Sequence, residues 1–179
     1  MYYKEKNHKI CCTRTDDGLY TLVAPWSANT PDDNSIEWMH TDKNIIRLPD
    51  FSFVFEDDPR VLDSAKQAKI AELGASFNDH VAGSFTTSHG YLMQFDTSDA
   101  IKMEGAIKFL EATGATEGYL TRADDTTVYN VPLDTMKAVL IEMITAFAAC
   151  HARKQELRAQ INAAQTKEDL DAVVISWPV

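Results

Sequence analysis

The run DTMKAVLIEMITAFAACHARKQELRAQINAAQ, from Asp134 to Gln165, decides how the chain is read. It contains no Gly and no Pro, and Ala, Leu, Met, Glu, Lys, Arg and Gln, the better helix formers, fill most of it. As a helix of roughly 32 residues it reaches about 48 Å. Heptad steps place Met136, Leu140, Met143, Phe147, Cys150, Lys154, Leu157, Ile161 and Ala164 on one seam, and only Lys154 breaks it. Propensity alone does not hold so long a helix in water, so the seam has to be buried. Earlier parts of the chain, a second copy or another protein are the three candidates for covering it.

The flanks frame this helix. Pro132 closes a strand and Asp134 is expected to cap the helix. After it, Thr166-Lys-Glu-Asp169 resembles a capping box for a short helix carrying Leu170, Val173 and Val174, ending near Ile175. The last residues, Ser176 to Val179, read as an extended terminus.

Upstream, Asp57-Asp58-Pro59 offers a cap and a first-turn proline for a helix over 59–82. Phe85 to Thr87 and Tyr91 to Phe95 flank the tight turn Ser88-His-Gly90. Asp96-Thr-Ser-Asp99 then starts a helix that ends at Gly114. Tyr119 to Arg122 and Thr127 to Val131 form a second hairpin around Ala123-Asp-Asp125.

The first 57 residues read as a small β unit. Ile10 to Arg14 and Leu19 to Ala24 flank an Asp17-Gly18 turn, and Ser27 to Ser35 is loop chemistry. Ile36 to His40 is a short strand, and Ile45 to Leu48 and Phe51 to Phe55 follow around Pro49-Asp50. The expected class is therefore α+β. A β-rich unit over 1–57 precedes an α+β domain over 58–179.

Composition narrows the function classes. Across 179 residues, 45% are hydrophobic and 25% charged, as in a globular protein. The net charge of −10 repels phosphate backbones, and no Lys/Arg cluster offsets it, which argues against nucleic acid. His151 to Arg158 is the only locally basic patch and reads as a solvated helix face. No apolar run approaches the roughly 18 residues of a membrane span. The polar, acid-containing N-terminus does not read as a signal peptide. Three cysteines, two of them adjacent, make a poor disulfide framework and point to a reducing compartment, here the cytoplasm.

Catalytic and metal motifs are missing. Adjacent Cys11 and Cys12 lack zinc-ligand spacing, and Cys150 reads as a small buried hydrophobe. The five histidines are scattered, no serine sits in a Gly-x-Ser-x-Gly elbow, and the seven glycines fall singly. The acidic pairs Asp16-Asp17, Asp32-Asp33, Asp57-Asp58 and Asp124-Asp125 read as turn and cap chemistry. The expectation is no enzyme, no metal and no cofactor. Protein contact remains, with Trp26, Trp38 and Trp177 as candidate anchors beside loops. Leu157 and Ile161, with Ala164, are read as an exposed end of the seam that pairs with a second copy. On that view the seam is needed only as far as Cys150.

From about Pro59 to Val174 the order of features resembles a phage-encoded domain-of-unknown-function family found in tail-fibre gene neighbourhoods. The resemblance rests on Gly90-Tyr-Leu-Met-Gln-Phe-Asp96, on Tyr119-Leu-Thr-Arg-Ala-Asp-Asp125 before Val131-Pro-Leu133, and on His151 to Thr166 followed by Glu168 to Ala172. Tyr119 stands where Trp is common and Asp125 where Asn is common. The Met1-Tyr-Tyr-Lys4 start and Trp177-Pro178 are similar to the ends of phage tail-fibre assembly chaperones. The resemblance implies a non-enzymatic phage or prophage protein that acts with a tail-fibre subunit in the bacterial host as an assembly factor. The alternatives are a minor tail component retained in the virion, or a small enzyme with an unrecognised site.

Overall fold

The structure, a computed structural model, describes residues 1–6, 9–14, 20–22 and 37–178. It is α+β, as its sequence pattern implies, and divides into two compact units. One comprises Met1–Ala68 with Gln165–Lys167, the other Lys69–Ala164 with the residues from Glu168 onward.

The first unit holds a four-stranded antiparallel sheet. Its strands are β1 (Tyr2–Lys6), β2 (Lys9–Arg14), β3 (Tyr20–Leu22) and β4 (Met39–His40), in the order β3-β2-β1-β4. The sequence reading has no strand at Tyr2–Lys6, because YYKEK shows no polar alternation around its lysines. Lys4 is nonetheless buried, with its ammonium 5.0 Å from the centroid of the Trp38 ring. The Arg14 guanidinium lies 4.8 Å from the same ring and 4.9 Å from that of Tyr2. Cation–π attraction of this kind lets a buried ammonium keep a favourable partner. The strand read over Ile36–His40 is confined to its last two residues within the described part.

Two adjacent cysteines are both fully buried, although successive strand residues ordinarily face opposite sides. A bulge explains this. Lys4 pairs with Cys12 and Glu5 with Ile10, which leaves Cys11 as the extra residue, its thiol donating to the Lys4 carbonyl at 3.1 Å. Burial first, and the neighbouring Cys11 second, push the Cys12 thiol up to about 11. A hairpin of β5 (Ile45–Arg47) and β6 (Phe53–Phe55) completes the unit, turning through Phe51 at φ 67°.

Helix α1 (Pro59–Val81) starts where Asp58 accepts from the Arg60 amide at 2.9 Å. In the second unit its last turns are followed by the hairpin of β7 (Ser84–Thr86) and β8 (Leu92–Gln94), then α2 (Thr97–Thr113). Asp96 caps α2 by accepting from the Asp99 amide. Gly114 closes it at φ 71°, where its amide and that of Ala115 reach back to Glu111 and Leu110.

The hairpin of β9 (Glu117–Thr121) and β10 (Thr127–Pro132) leads directly into α3 (Leu133–Ala163) and the short α4 (Lys167–Asp171). A second bulge, at Asn130 with φ 56°, lets Tyr129 face outward while Val131 is buried. Gly118 has no room for a side chain. A Cβ there would stand 2.6 Å from Leu110 Cδ1 and 2.9 Å from Met136 Sδ.

The helix α3 is the spine of the second unit. Asp134 does not cap it, since the cap position is Pro132 and no side chain bonds there. Asp134 sits in the first turn, where its charge favours the helix dipole. All nine seam residues are buried or half-buried. Two expectations are corrected here. Leu157 and Ile161 are 0% exposed, so the seam does not end at Cys150 in an exposed arm. Lys154 stays on the seam because its ammonium lies 4.1 Å over the Phe77 ring. The helix read to Ile175 ends at Asp171.

Gly114→Ala is expected to cost about 1 kcal/mol, because an L side chain at positive φ is strained where glycine is not. Urea unfolding that shows no loss would contradict the capping role given to this residue.

Candidate functional site

A cavity of about 390 Å³ opens beneath the β9–β10 hairpin. Its floor comprises Met93 from β8, Met103 from α2, Leu120 from β9, and Met136 and Met143 from α3. Each of these residues is at most 8% exposed. The chain has six methionines, and four of them meet here. Unbranched, polarizable thioethers adapt their shape to whatever apolar group they meet.

The rim is polar and charge-balanced. Asp99, Lys102, Arg122 and Asp125 line it, with Tyr119 at one side. Lys102 donates to Asp99 at 2.9 Å. The Arg122 Nη2 reaches Asp124 at 3.4 Å, while its Nε is shielded from solvent and has no hydrogen-bond partner among the described residues. A shielded donor without an acceptor carries a desolvation cost, of roughly 1–3 kcal/mol.

Arg122 is held firmly. Its amide donates to the Thr126 carbonyl at 2.8 Å and its carbonyl accepts from Asp125 at 3.0 Å. Asp125 sits at φ 62°, and Asp124 accepts from both the amide and hydroxyl of Thr126. Those bonds, with Thr126 first, hold the Asp124 carboxyl below the usual carboxylate range. The Ala123 amide then donates to the Leu92 carbonyl at 2.9 Å, tying the turn to the strand that carries Met93.

A second feature is the outward side of α3. Its exposed positions from Ile141 to Ala152 are Ile141, Ile144, Thr145, Ala148, Ala149, His151 and Ala152, none of them Asp, Glu, Lys or Arg. Ile141 is 64% exposed and Ile144 52%. Ile101 and Phe109 on α2, and the cross-strand pair Tyr119–Tyr129, are exposed too.

Residue type is a poor guide to these surfaces. Of the residues named from sequence as partner anchors, Trp26 lies outside the described residues. Trp38 is occupied by Lys4 and Arg14. Leu157 and Ile161 are buried. Trp177 is engaged within the chain. Its ring packs on Phe77 and stacks on His80, and its Nε1 donates to the Ser76 hydroxyl at 3.0 Å. The signal available in sequence was an excess of apolar residues. From Ala138 to Cys150 the only charge is Glu142, more apolar surface than one buried face of a helix uses.

Ser88, His89 and Glu142 bring together the residue types of a nucleophilic triad. Their geometry is that of a loop clamp. The Ser88 hydroxyl and amide both donate to the Glu142 carboxylate, at 2.6 and 2.8 Å, and His89 lies 3.4 Å from it. The carboxylate thus holds the β7–β8 turn against α3; one nitrogen of His89, Nδ1, faces both the Ser88 hydroxyl at 3.2 Å and the carboxylate, whereas a triad histidine bridges the two with different nitrogens. Those Ser88 bonds hold Glu142 below its ordinary value. Among the described residues no group of His, Cys, Asp or Glu is placed to hold a metal, and no helix is long and apolar enough to cross a membrane.

Residues 64–174 match the family model described as a domain of unknown function, DUF4376, which covers more than half of the chain. The chain belongs to that family. No curated protein and no solved structure matches it.

The clamp makes a pH-dependent contribution. Because the folded value of Glu142 lies below the unfolded one, its stabilisation is full above the unfolded pKa of about 4.3 and is lost as pH falls through the folded value. Glu142→Gln is expected to lower stability by about 1 kcal/mol at neutral pH, and the gap to the parent should close under acid. Thermal melts between neutral and acid pH check this; a constant gap would contradict the clamp.

Proposed function

We propose that this DUF4376 member is a non-enzymatic interaction protein that acts with the tail fibres of a phage or prophage, as an assembly factor. The observation that carries the reading is the uncharged outward side of α3. A chain with a net charge of −10 that keeps about three helical turns free of exposed Asp, Glu, Lys and Arg has a surface suited to another protein. Two isoleucines among alanines give it knobs and close-approach positions for an apolar strand or helix.

The cavity lining contains no His, Cys or Ser, and the Asp99 carboxylate is taken up by the Lys102 ammonium, which favours binding over catalysis. The tail-fibre context rests on the resemblance carried by Gly90–Asp96, Tyr119–Asp125 and His151–Ala172. Trimeric fibres expose apolar surface while they assemble, and an acidic partner that covers it keeps them soluble. The second reading, a minor tail component, shares the same surface and differs only in whether the protein remains in the particle.

Co-expression with a phage tail-fibre subunit is the test. The parent protein is expected to raise the soluble fibre yield and to co-purify with it. The double variant Ile141→Glu, Ile144→Glu should lose at least about tenfold of that recovery with unchanged helical content, as buried charge does at an interface. An equal recovery would remove α3 as the binding surface. No effect of the parent protein would remove the fibre. Its presence in purified virions would select the tail component over the assembly factor.

A further inference from the structure

We infer that the outward side of α3 is a second helical seam, and that a second copy of this chain covers it in a parallel, in-register helix pair. The inference rests on the reading of that face as a docking surface and names what covers it before a fibre does.

Spacing selects a helix as the covering element. Ile141, Thr145, Ala148, Ala152, Gln155 and Ala159 are all exposed, and they follow the alternating four- and three-residue steps of a heptad over about 27 Å. Each lies two residues, about 200° around the axis, from a buried seam position, as Thr145 does from Met143 and Ala152 from Cys150. The charged residues between Ala138 and Ala163 are Glu142, Arg153, Lys154, Glu156 and Arg158, and none falls on this line. A helix that faces only water ordinarily puts its charges there. Three alanines on the line let a second backbone come to about 8 Å, the short end of the range for packed helices. The Thr145 hydroxyl donates to the Ile141 carbonyl at 2.7 Å, so it needs no acceptor across the pair.

Charge selects a second copy and its direction. In a parallel, in-register pair, a residue flanking one seam meets the residue five places further on in the other copy. His151 then meets the other copy's Glu156, Lys137 its Glu142, Ile144 its Ala149 and Arg158 its Ala163, and symmetry makes each contact twice. No like charges meet. The antiparallel pair that sets Ile141 against Ala159 places Glu142 beside Glu156 at both ends. Lys137 and Glu142 already bond Glu111 and Ser88 within the chain. The deciding contact is therefore His151 with Glu156, whose side chain is 63% exposed beside Arg153 and accepts from an imidazole N–H. Small side chains bury little area, so the pair is weak, with a dissociation constant on the order of 10 μM. It covers Ile141 and Ile144 and yields them by mass action to a tighter partner.

Sedimentation equilibrium of the full chain is expected to give a dimer mass above about 100 μM and a monomer below about 1 μM. Ala148→Glu sets two carboxylates across the seam and is expected to be monomeric throughout, with unchanged helical content. Gln155→Cys reads the direction. Cys11, Cys12 and Cys150 are 0% exposed, so the introduced thiol is the accessible one among the described residues. In the parallel pair it stands across from its counterpart; in the antiparallel pair the two are about 15 Å apart, beyond the reach of a disulfide. Mild oxidation is expected to give covalent dimer at least about tenfold faster than with Gln160→Cys, an exposed position off the line.

A monomer mass across the whole range overturns the pairing. A dimer that Ala148→Glu leaves intact overturns α3 as its surface, and equal oxidation at Gln155→Cys and Gln160→Cys overturns the parallel register. A monomeric parent protein that still raises fibre recovery removes the pairing and keeps the fibre reading. A dimer without effect on the fibre does the reverse.

Discussion

Burial of the inner seam of α3 is the constraint on which the second unit depends. A helix of 31 residues in water gains little from its own hydrogen bonds, and its persistence comes from what covers it. Met136, Val139, Met143, Ala146 and Cys150 form the floor of the core, and Phe77, Val81, Phe95, Met103 and Ile107 close over them from other elements. The hairpins earn their place by the same logic. Gly118 allows β9 to press against Leu110 and Met136 so closely that no Cβ fits between. Farther along, Phe77 meets Phe147, His151, Trp177 and Lys154, an aromatic cluster with one cation seated on it.

The same helix carries a conflict. Its stretch from Ala138 to Cys150 is apolar nearly all round, a composition suited to a helix covered on every side. Among the described residues only one side is covered. Local rules broken in this way concentrate where a protein binds something else. The methionine floor is a similar departure. Thioethers define a core loosely compared with Leu, Ile or Val, and gathering four of them under one hairpin gives up packing specificity for adaptability. Arg122 above them is the opposite, a donor held by a tight turn over a conformable floor.

In the first unit, cation–π contacts stand beside the apolar packing of Ile10, Leu48 and Val54. Trp38 lies between Lys4 and Arg14, and the ring that looked like an anchor for a partner holds two cations of its own sheet. The bulge at Cys11 shifts the register of the sheet by one residue and puts both thiols inside, where burial pushes the Cys12 thiol up.

What the sequence determined by itself is local. Asp58 before Pro59, Asp96 before Thr97 and Gly114 at the end of α2 are legible because a cap is satisfied within a few residues of the chain. The heptad seam is legible too, since 3.6-residue periodicity says which positions share a face. Sequence also placed both hairpins of the second unit to within about two residues, through their turn residues. Tertiary structure alone decided the rest. Lys154 reads as a break in the seam until Phe77 arrives beneath it, and Leu157 and Ile161 read as an exposed end until their surroundings close. The cavity draws its methionines from three elements with no spacing in common, so no pattern along the chain announces it. Burial and hydrogen-bond satisfaction depend on which other surfaces come to a residue, and those surfaces are distant in sequence.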